Sequence, residues 1–242
     1  MLYALLSFLR VTSYVAAQLR NGQLLQNENS PMPFVVPGMV GWVFVSSVLA
    51  LLFLQSVLYM ILVMMGLSLL IILNGRTADE QFGFGRLSLS KLLTWSLLIC
   101  GAVLFIEMPL TEVIEQAMNA IHLPHPEQQT VEDFKQLKQP AEIFGFMLQA
   151  VLLSPLIEEF FFRGFLLMFL KKYTSTLLAI FLSAGVFAAA HANLDSIIPL
   201  WFLGIVLSVA YQHTGSLLLP IGIHASWNFF TAVGLLLEKG NS

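Results

Sequence analysis

Residues 39–73 contain no charged side chain, and a stretch of that length restricts the chain to a solvent other than water. A helix needs ~20 apolar residues to cross the ~30 Å hydrocarbon core of a bilayer. This stretch is therefore one tilted span, or one broken near Gly66, and is too short for two spans with a turn. Further apolar stretches follow at 91–109, 141–170, 175–192, 197–212 and 217–237. Unpaired backbone groups are so costly in lipid that these segments are expected to be helices. Composition agrees: 57% of the residues are hydrophobic and 10% charged, against about 25% charged in a soluble domain. The expected fold is an all-α, multi-pass integral membrane protein with about six transmembrane helices, the last four forming a core.

The rest of the chain divides around these spans. Residues 1–38 read as an N-terminal amphipathic helix and loop, because Ser7, Arg10, Ser13 and Ala17 recur at helical spacing among Leu, Phe and Val, the pattern of a helix lying on a membrane surface. Whether residues 1–19 span instead stays open. A cleaved signal peptide is not expected, since there is no basic n-region and Arg10 interrupts the apolar run. Residues 39–140 hold two peripheral spans and polar loops, with a short amphipathic helix expected around 112–121 and Pro124 and Pro126 preventing one continuous helix. Residues 141–237 form the core, and its short joints force neighbouring helices to run antiparallel. Orientation is undetermined: Arg76, Arg86, Lys91, Lys171 and Lys172 on one face balance Arg10, Arg20, Lys135, Lys138 and Lys239 on the other.

Charge and cysteine content exclude other classes. The net charge of −3 supplies no basic stripe, so nucleic acid is not a partner. The single Cys100 excludes an internal disulfide and a cysteine metal cluster, and reads as a small buried hydrophobe.

Ionisable groups inside an apolar bundle cost ~2.5–3.5 kcal/mol each on translocon scales, so each needs a reason. The third span contains Glu158-Glu159-Phe160-Phe161-Phe162-Arg163. Glu159 and Arg163 are spaced i,i+4, which suits a same-face ion pair pinning the helix. Adjacent residues point ~100° apart on a helix, so Glu158 faces elsewhere, with no partner in its own helix. A carboxylate so placed suits general base and acid work. The next helix ends in Phe187-Ala188-Ala189-Ala190-His191, where three alanines permit close helix approach. The last contains His224-Ala225-Ser226-Trp227-Asn228, with His224 and Asn228 on one face.

At ~1.5 Å per residue from the face marked by Lys171, Glu158 lies about 20 Å deep, His191 about 24 Å, His224 about 10 Å and Asn228 about 17 Å. All four fall within the hydrocarbon core, where a modest tilt brings them together. Singly, each histidine is better read as an interhelical tie and Asn228 as interhelical glue; together, at compatible depths, they point to a site. His122, His125 and His213, in polar segments, are expected to be solvated. Trp201, Phe202, Trp227, Phe229 and Phe230 read as packing or interface belt.

These three motifs, Glu158-Glu159-x-x-x-Arg163, Phe187-x-x-x-His191 and His224-x-x-x-Asn228, resemble in order and spacing the CPBP family of membrane proteins: CAAX prenyl proteases and bacteriocin-processing or self-immunity (Abi) proteins. The resemblance covers roughly 141–237. It implies an intramembrane endopeptidase with Glu158, His191, His224 and Asn228 as the catalytic set and Glu159 and Arg163 in support. The implied substrate is a peptide or lipid-modified protein within the membrane, in a lipid environment.

Two mechanisms stand open. In the favoured one no cofactor is used: Glu158 and His191 activate water, and His224 and Asn228 stabilise the oxyanion. In the other, Glu158, His191 and His224 hold Zn²⁺, although the helical zinc signature H-E-x-x-H is absent. A non-catalytic immunity or scaffold protein binding a peptide in the same cavity is the main rival. An ion or solute carrier is a weaker one, because broken helices in matching halves are not visible.

Overall fold

The structure, a computed structural model, describes residues 82–122, 128–191 and 193–241. The expected amphipathic helix at 1–38 and the span at 39–73 lie outside the described residues, as does His125. The described part is helical, with no strand, and the chain is an integral multi-pass membrane protein.

Helix α1, Leu89–Ala120, contains Pro109. The sequence suggested that a span ends near this proline and that a separate amphipathic helix follows; instead one helix runs through both. Proline removes one ladder hydrogen bond, and here the flanking turns carry the helix past the gap. At ~1.5 Å per residue, α1 is about 48 Å long, so it continues beyond the hydrocarbon. Its buried stripe is Ser96, Cys100, Val103 and Glu107. Leu93, Leu97, Phe105 and Met108 are exposed on its other faces, as expected of side chains whose solvent is lipid.

A short helix, α2 (Gln129–Gln136), lies in what the sequence suggested was polar loop. Phe134 is its buried anchor, against Phe146 at 5.0 Å between centroids. Lys239 Nζ donates to the carbonyls of Phe134 (3.2 Å), Lys135 (3.1 Å) and Leu137, satisfying groups that a helix end leaves unpaired.

Helix α3, Pro140–Tyr173, begins with a capping box between Gln139 and Glu142 and a proline in its first turn. It is interrupted by two π-helical stretches, Gln149–Leu153 and Phe160–Leu167. The first has an identifiable cause. Pro155 has no N–H to give, and Ser154 N–H bonds the Gln149 carbonyl, so the Ala150 carbonyl loses both its α and its π partner. A wider turn accommodates the proline within the helix.

Helices α4 (Thr176–Ala190), α5 (Ile197–Thr214) and α6 (Leu218–Asn241) complete the bundle. Four of the six described helices (α1, α3, α5 and α6) are long and apolar enough to cross a membrane, and α4 is shorter. At ~1.5 Å per residue α4 spans only about 22 Å, so it stops within the ~30 Å core and leaves His191 at its end. The α4–α5 turn is closed by Asn193 Oδ1, which accepts from Ser196 N–H at 3.0 Å and Ser196 Oγ at 2.9 Å. Helix α5 ends at Gly215, whose φ of 64° is left-handed, a C-terminal conformation glycine adopts without penalty.

Gly204 sets how closely α5 approaches α4, since a Cβ there would stand 3.0 Å from Ala184 Cα and Cβ and 3.3 Å from the Phe187 ring. Gly204→Val is therefore expected to overpack the contact, at ~1–3 kcal/mol, and to lower the melting temperature in detergent. An unchanged melting temperature would mean the bundle does not depend on this approach.

Candidate active site

The side chains at the centre come from α3, α4 and α6. Glu159 and Arg163, both fully buried, form the ion pair the spacing suggested, with Arg163 Nη1 2.6 Å from Glu159 Oε1. The second guanidinium arm, Nη2, donates to the Gly204 carbonyl on α5 at 3.1 Å. The guanidinium carbon also lies 4.7 Å from the centroid of the Phe187 ring on α4. A cation inside an apolar bundle is tolerable only with such satisfaction.

Glu159 Oε1 accepts a second bond. His224 Nδ1, on α6, lies 2.9 Å from it, and since a carboxylate only accepts, that ring nitrogen is the donor. His224 Nε2 then points at Glu158 Oε2, 3.9 Å away. His191 repeats the pattern: its Nδ1 lies 2.9 Å from the Phe187 carbonyl, which again only accepts, and its Nε2 lies 4.0 Å from the same Glu158 oxygen. In their neutral forms, both rings present a bare Nε2 lone pair to Glu158 Oε2, itself enclosed and without a hydrogen-bond partner. The Phe187 ring packs edge-on against both imidazoles, its centroid 4.9 Å from His191 and 5.6 Å from His224.

The cluster is graded from dry to accessible. His224 and Glu159 side chains are 3% and 0% exposed, whereas Glu158 and His191 reach 17% and 27%. Approach is thus from the His191 and Glu158 side, with Glu159 and Arg163 behind.

Asn228 meets α3 as well, but at another point. Its Nδ2 donates to the Ala150 carbonyl at 2.6 Å, the group orphaned by Pro155. One of its two N–H donors is therefore committed to repairing the backbone, and the other remains to be offered. His122 and His213 are exposed, as expected of solvated side chains. Trp201 Nε1 donates to the Phe181 carbonyl at 3.0 Å.

Two features were not anticipated. The sequence implied that Glu158 and Glu159 have unrelated tasks; they do face apart, yet His224 lies between them and links one to the other. Glu107 passed unremarked within α1. It is buried, and its Oε2 accepts from Trp227 Nε1 at 2.6 Å. The signal that could have found it is a lone carboxylate inside an otherwise uncharged 92–109 stretch.

The fit to zinc is divided. Both histidines have their Nδ1 committed to a carboxylate or carbonyl, as metal-bound imidazoles usually do. Among the described residues, however, no group of three or more His, Cys, Asp or Glu side chains is spaced to hold a metal ion.

Comparison with known proteins places residues 140–230 in a match to the Rce1-like family, described as type II CAAX prenyl endopeptidase Rce1-like. An uncharacterized 24.3 kDa protein of Escherichia coli is 37% identical over 95 residues, covering 37% of this chain and 42% of that protein. The membrane-embedded CAAX protease MroQ of Staphylococcus aureus (strain USA300) is 29% identical over 155 residues, covering 61% of this chain and 60% of MroQ. The chain therefore spans less than two thirds of the length of either relative. No solved structure matches.

Removing one member of the buried pair strands the other. Glu159→Ala and Arg163→Ala are each expected to cost ~3–5 kcal/mol, read as a lower melting temperature in detergent. The double variant should recover only part, because His224 Nδ1 also loses its acceptor. Equal melting temperatures for wild type and both single variants would remove the structural role.

Proposed function

We propose that this chain belongs to the CPBP family, on the match of residues 140–230 to the Rce1-like family, and that it is an intramembrane endopeptidase cleaving a membrane-associated peptide or lipid-modified protein. The observation that carries the proposal is the enclosed, unpartnered Glu158 Oε2 facing two imidazole Nε2 atoms at 3.9 and 4.0 Å. Those gaps are too long for direct hydrogen bonds and suit groups that act through one small molecule held between them.

In this reading, water is held between Glu158 and His191, the more accessible pair. Its oxygen attacks the scissile carbonyl carbon while its proton passes to the Glu158 carboxylate. The tetrahedral intermediate collapses as the C–N bond breaks, and Glu158 returns the proton to the leaving nitrogen. His224 and Asn228 face the developing oxyanion, where each donor is worth ~2.7–4 kcal/mol in enzymes where this has been measured. With Nδ1 donating to Glu159, His224 donates from Nε2 only when protonated. Glu159 and Arg163 touch no reacting atom in this scheme; they orient His224.

A second reading, zinc held by Glu158, His191 and His224, is favoured by the committed Nδ1 atoms of both rings. Bound zinc lowers the pKa of its water to ~7. The water-activation reading is preferred because Asn228 is a poor zinc ligand and a good oxyanion donor.

Glu158→Gln should abolish cleavage while the protein inserts and melts as wild type, since Glu158 Oε2 has no hydrogen bond among the described residues to lose. The check is a proteomic comparison of peptide ends in membranes carrying wild-type or Glu158→Gln protein. Identical sets of ends would sink the catalytic assignment. Metal content separates the two mechanisms. Direct water activation expects much less than one zinc per purified chain and activity that survives chelation. Near-stoichiometric zinc, lost in Glu158→Gln and in His191→Ala and tracking activity on re-addition, would overturn the preferred mechanism and keep the peptidase reading.

A further inference from the structure

Among the buried charged residues described, Glu107, Glu159 and Arg163, Glu107 is the one with no part in the scheme above. It sits between Ile106 and Met108, which are 47% and 73% exposed, while it is itself 5% exposed. Its carboxylate therefore points into the bundle from a helix whose neighbouring side chains face lipid. A group so costly to bury calls for a function, and its geometry supplies one. Oε2 accepts the Trp227 indole proton at 2.6 Å, and Oε1 is enclosed with no hydrogen-bond partner. The indole is thus the one hydrogen-bonding group described for this carboxylate.

Trp227 lies on the same turn of α6 as His224 and Asn228. That turn is held on two sides. Towards α3 it is fixed by His224 on Glu159 and Asn228 on Ala150; towards α1 it is fixed by Trp227 on Glu107. Close approach of α1 and α6 is permitted nearby, because a Cβ on Gly222 would collide with the Ser96 hydroxyl. With that contact as pivot, the stiff indole acts as a lever on the rotation of α6 about its own axis.

We propose that Glu107 is a positioning residue: by holding Trp227 it sets the rotation of α6, and so aims His224 Nε2 at Glu158 and seats the Asn228 amide on the Ala150 carbonyl. The proposal rests on the endopeptidase reading for its catalytic consequence but not for its geometry. Side-chain atoms lie roughly 6 Å from a helix axis, so a rotation of ten degrees moves them by about 1 Å. A displacement of that size can cost ~10²-fold in rate.

The test uses full-length protein in detergent with two readouts. The first is the nitrogen resonances of the His224 imidazole, whose Nδ1 meets Glu159 only at the native rotation. These should move in Glu107→Ala and in Trp227→Phe, and return in Glu107→Gln, whose amide oxygen still accepts the indole proton. Unmoved His224 resonances in Glu107→Ala overturn the proposal, whatever the activity. The second is hydrolysis of a fluorogenic prenylated peptide. Here kcat should fall about 10- to 100-fold in Glu107→Ala with KM unchanged, partly recover in Glu107→Gln, and fall no further in the Glu107→Ala/Trp227→Phe double variant. Multiplying losses in the double variant, or a change confined to KM, overturn it. If wild type leaves the peptide intact while the His224 resonances still follow Glu107, the positioning role stands and the peptidase reading for this substrate fails.

Discussion

A guanidinium with no exposure, in a bundle whose outer surface faces lipid, is the constraint to which the other helices answer. Arg163 is held on three sides: by the Glu159 carboxylate one turn back, by the Gly204 carbonyl of α5, and by the Phe187 ring of α4. Glu159 in turn takes His224 from α6. One ion pair on α3 therefore touches each of the three helices that follow. Replacing such a pair by apolar residues of similar volume often costs nothing in stability. What the pair contributes here is the single arrangement of four helices in which His224 is aimed. Close packing makes that arrangement reachable: without a side chain at Gly204, its carbonyl comes within reach of Arg163, and it also accepts from Ser208 Oγ at 2.8 Å.

Helix α3 is the least regular element and carries the most chemistry, and the two facts share a cause. Glu158 and Glu159 end a short α-helical stretch, Ser154–Glu159, bracketed by π-helical turns. Each wide turn shifts the phase of the side chains that follow it. Pro155 makes the first turn necessary and leaves the Ala150 carbonyl without a backbone partner. Asn228 supplies the missing donor. A residue that the family resemblance implies as an oxyanion donor thus also repairs the helix bearing the candidate base. The two duties are compatible, because a carboxamide has two N–H groups.

The legible part of this chain was whatever depends on local spacing and on solvent class. Apolar length marked the four described helices long enough to cross a membrane, and i,i+4 spacing marked the Glu159–Arg163 pair. Depth counting put Glu158, His191, His224 and Asn228 within the hydrocarbon core because helical rise is nearly constant. Three things were not legible. Pro109 reads as a helix end, and only neighbours in space show that the helix continues. The π-helical turns of α3 have no periodic signature in an apolar sequence. The bonds from His224 to Glu159 and from Trp227 to Glu107 join residues 65 and 120 positions apart, and no local pattern encodes a pairing at that range.

Tautomer state connects the architecture to the chemistry. A backbone carbonyl against His191 Nδ1 and a carboxylate against His224 Nδ1 leave both rings with Nε2 facing Glu158, yet the two partners are not equivalent. The Phe187 carbonyl belongs to the backbone of the helix that His191 ends, whereas Glu159 is a side-chain carboxylate that is itself held by Arg163. His224 sits deep and dry, and His191 is the more accessible of the two. On the hydrolytic reading, the two histidines divide into an acceptor near the opening and a donor at the back. That division is set by what lies behind each ring, a carbonyl in one case and the buried ion pair in the other.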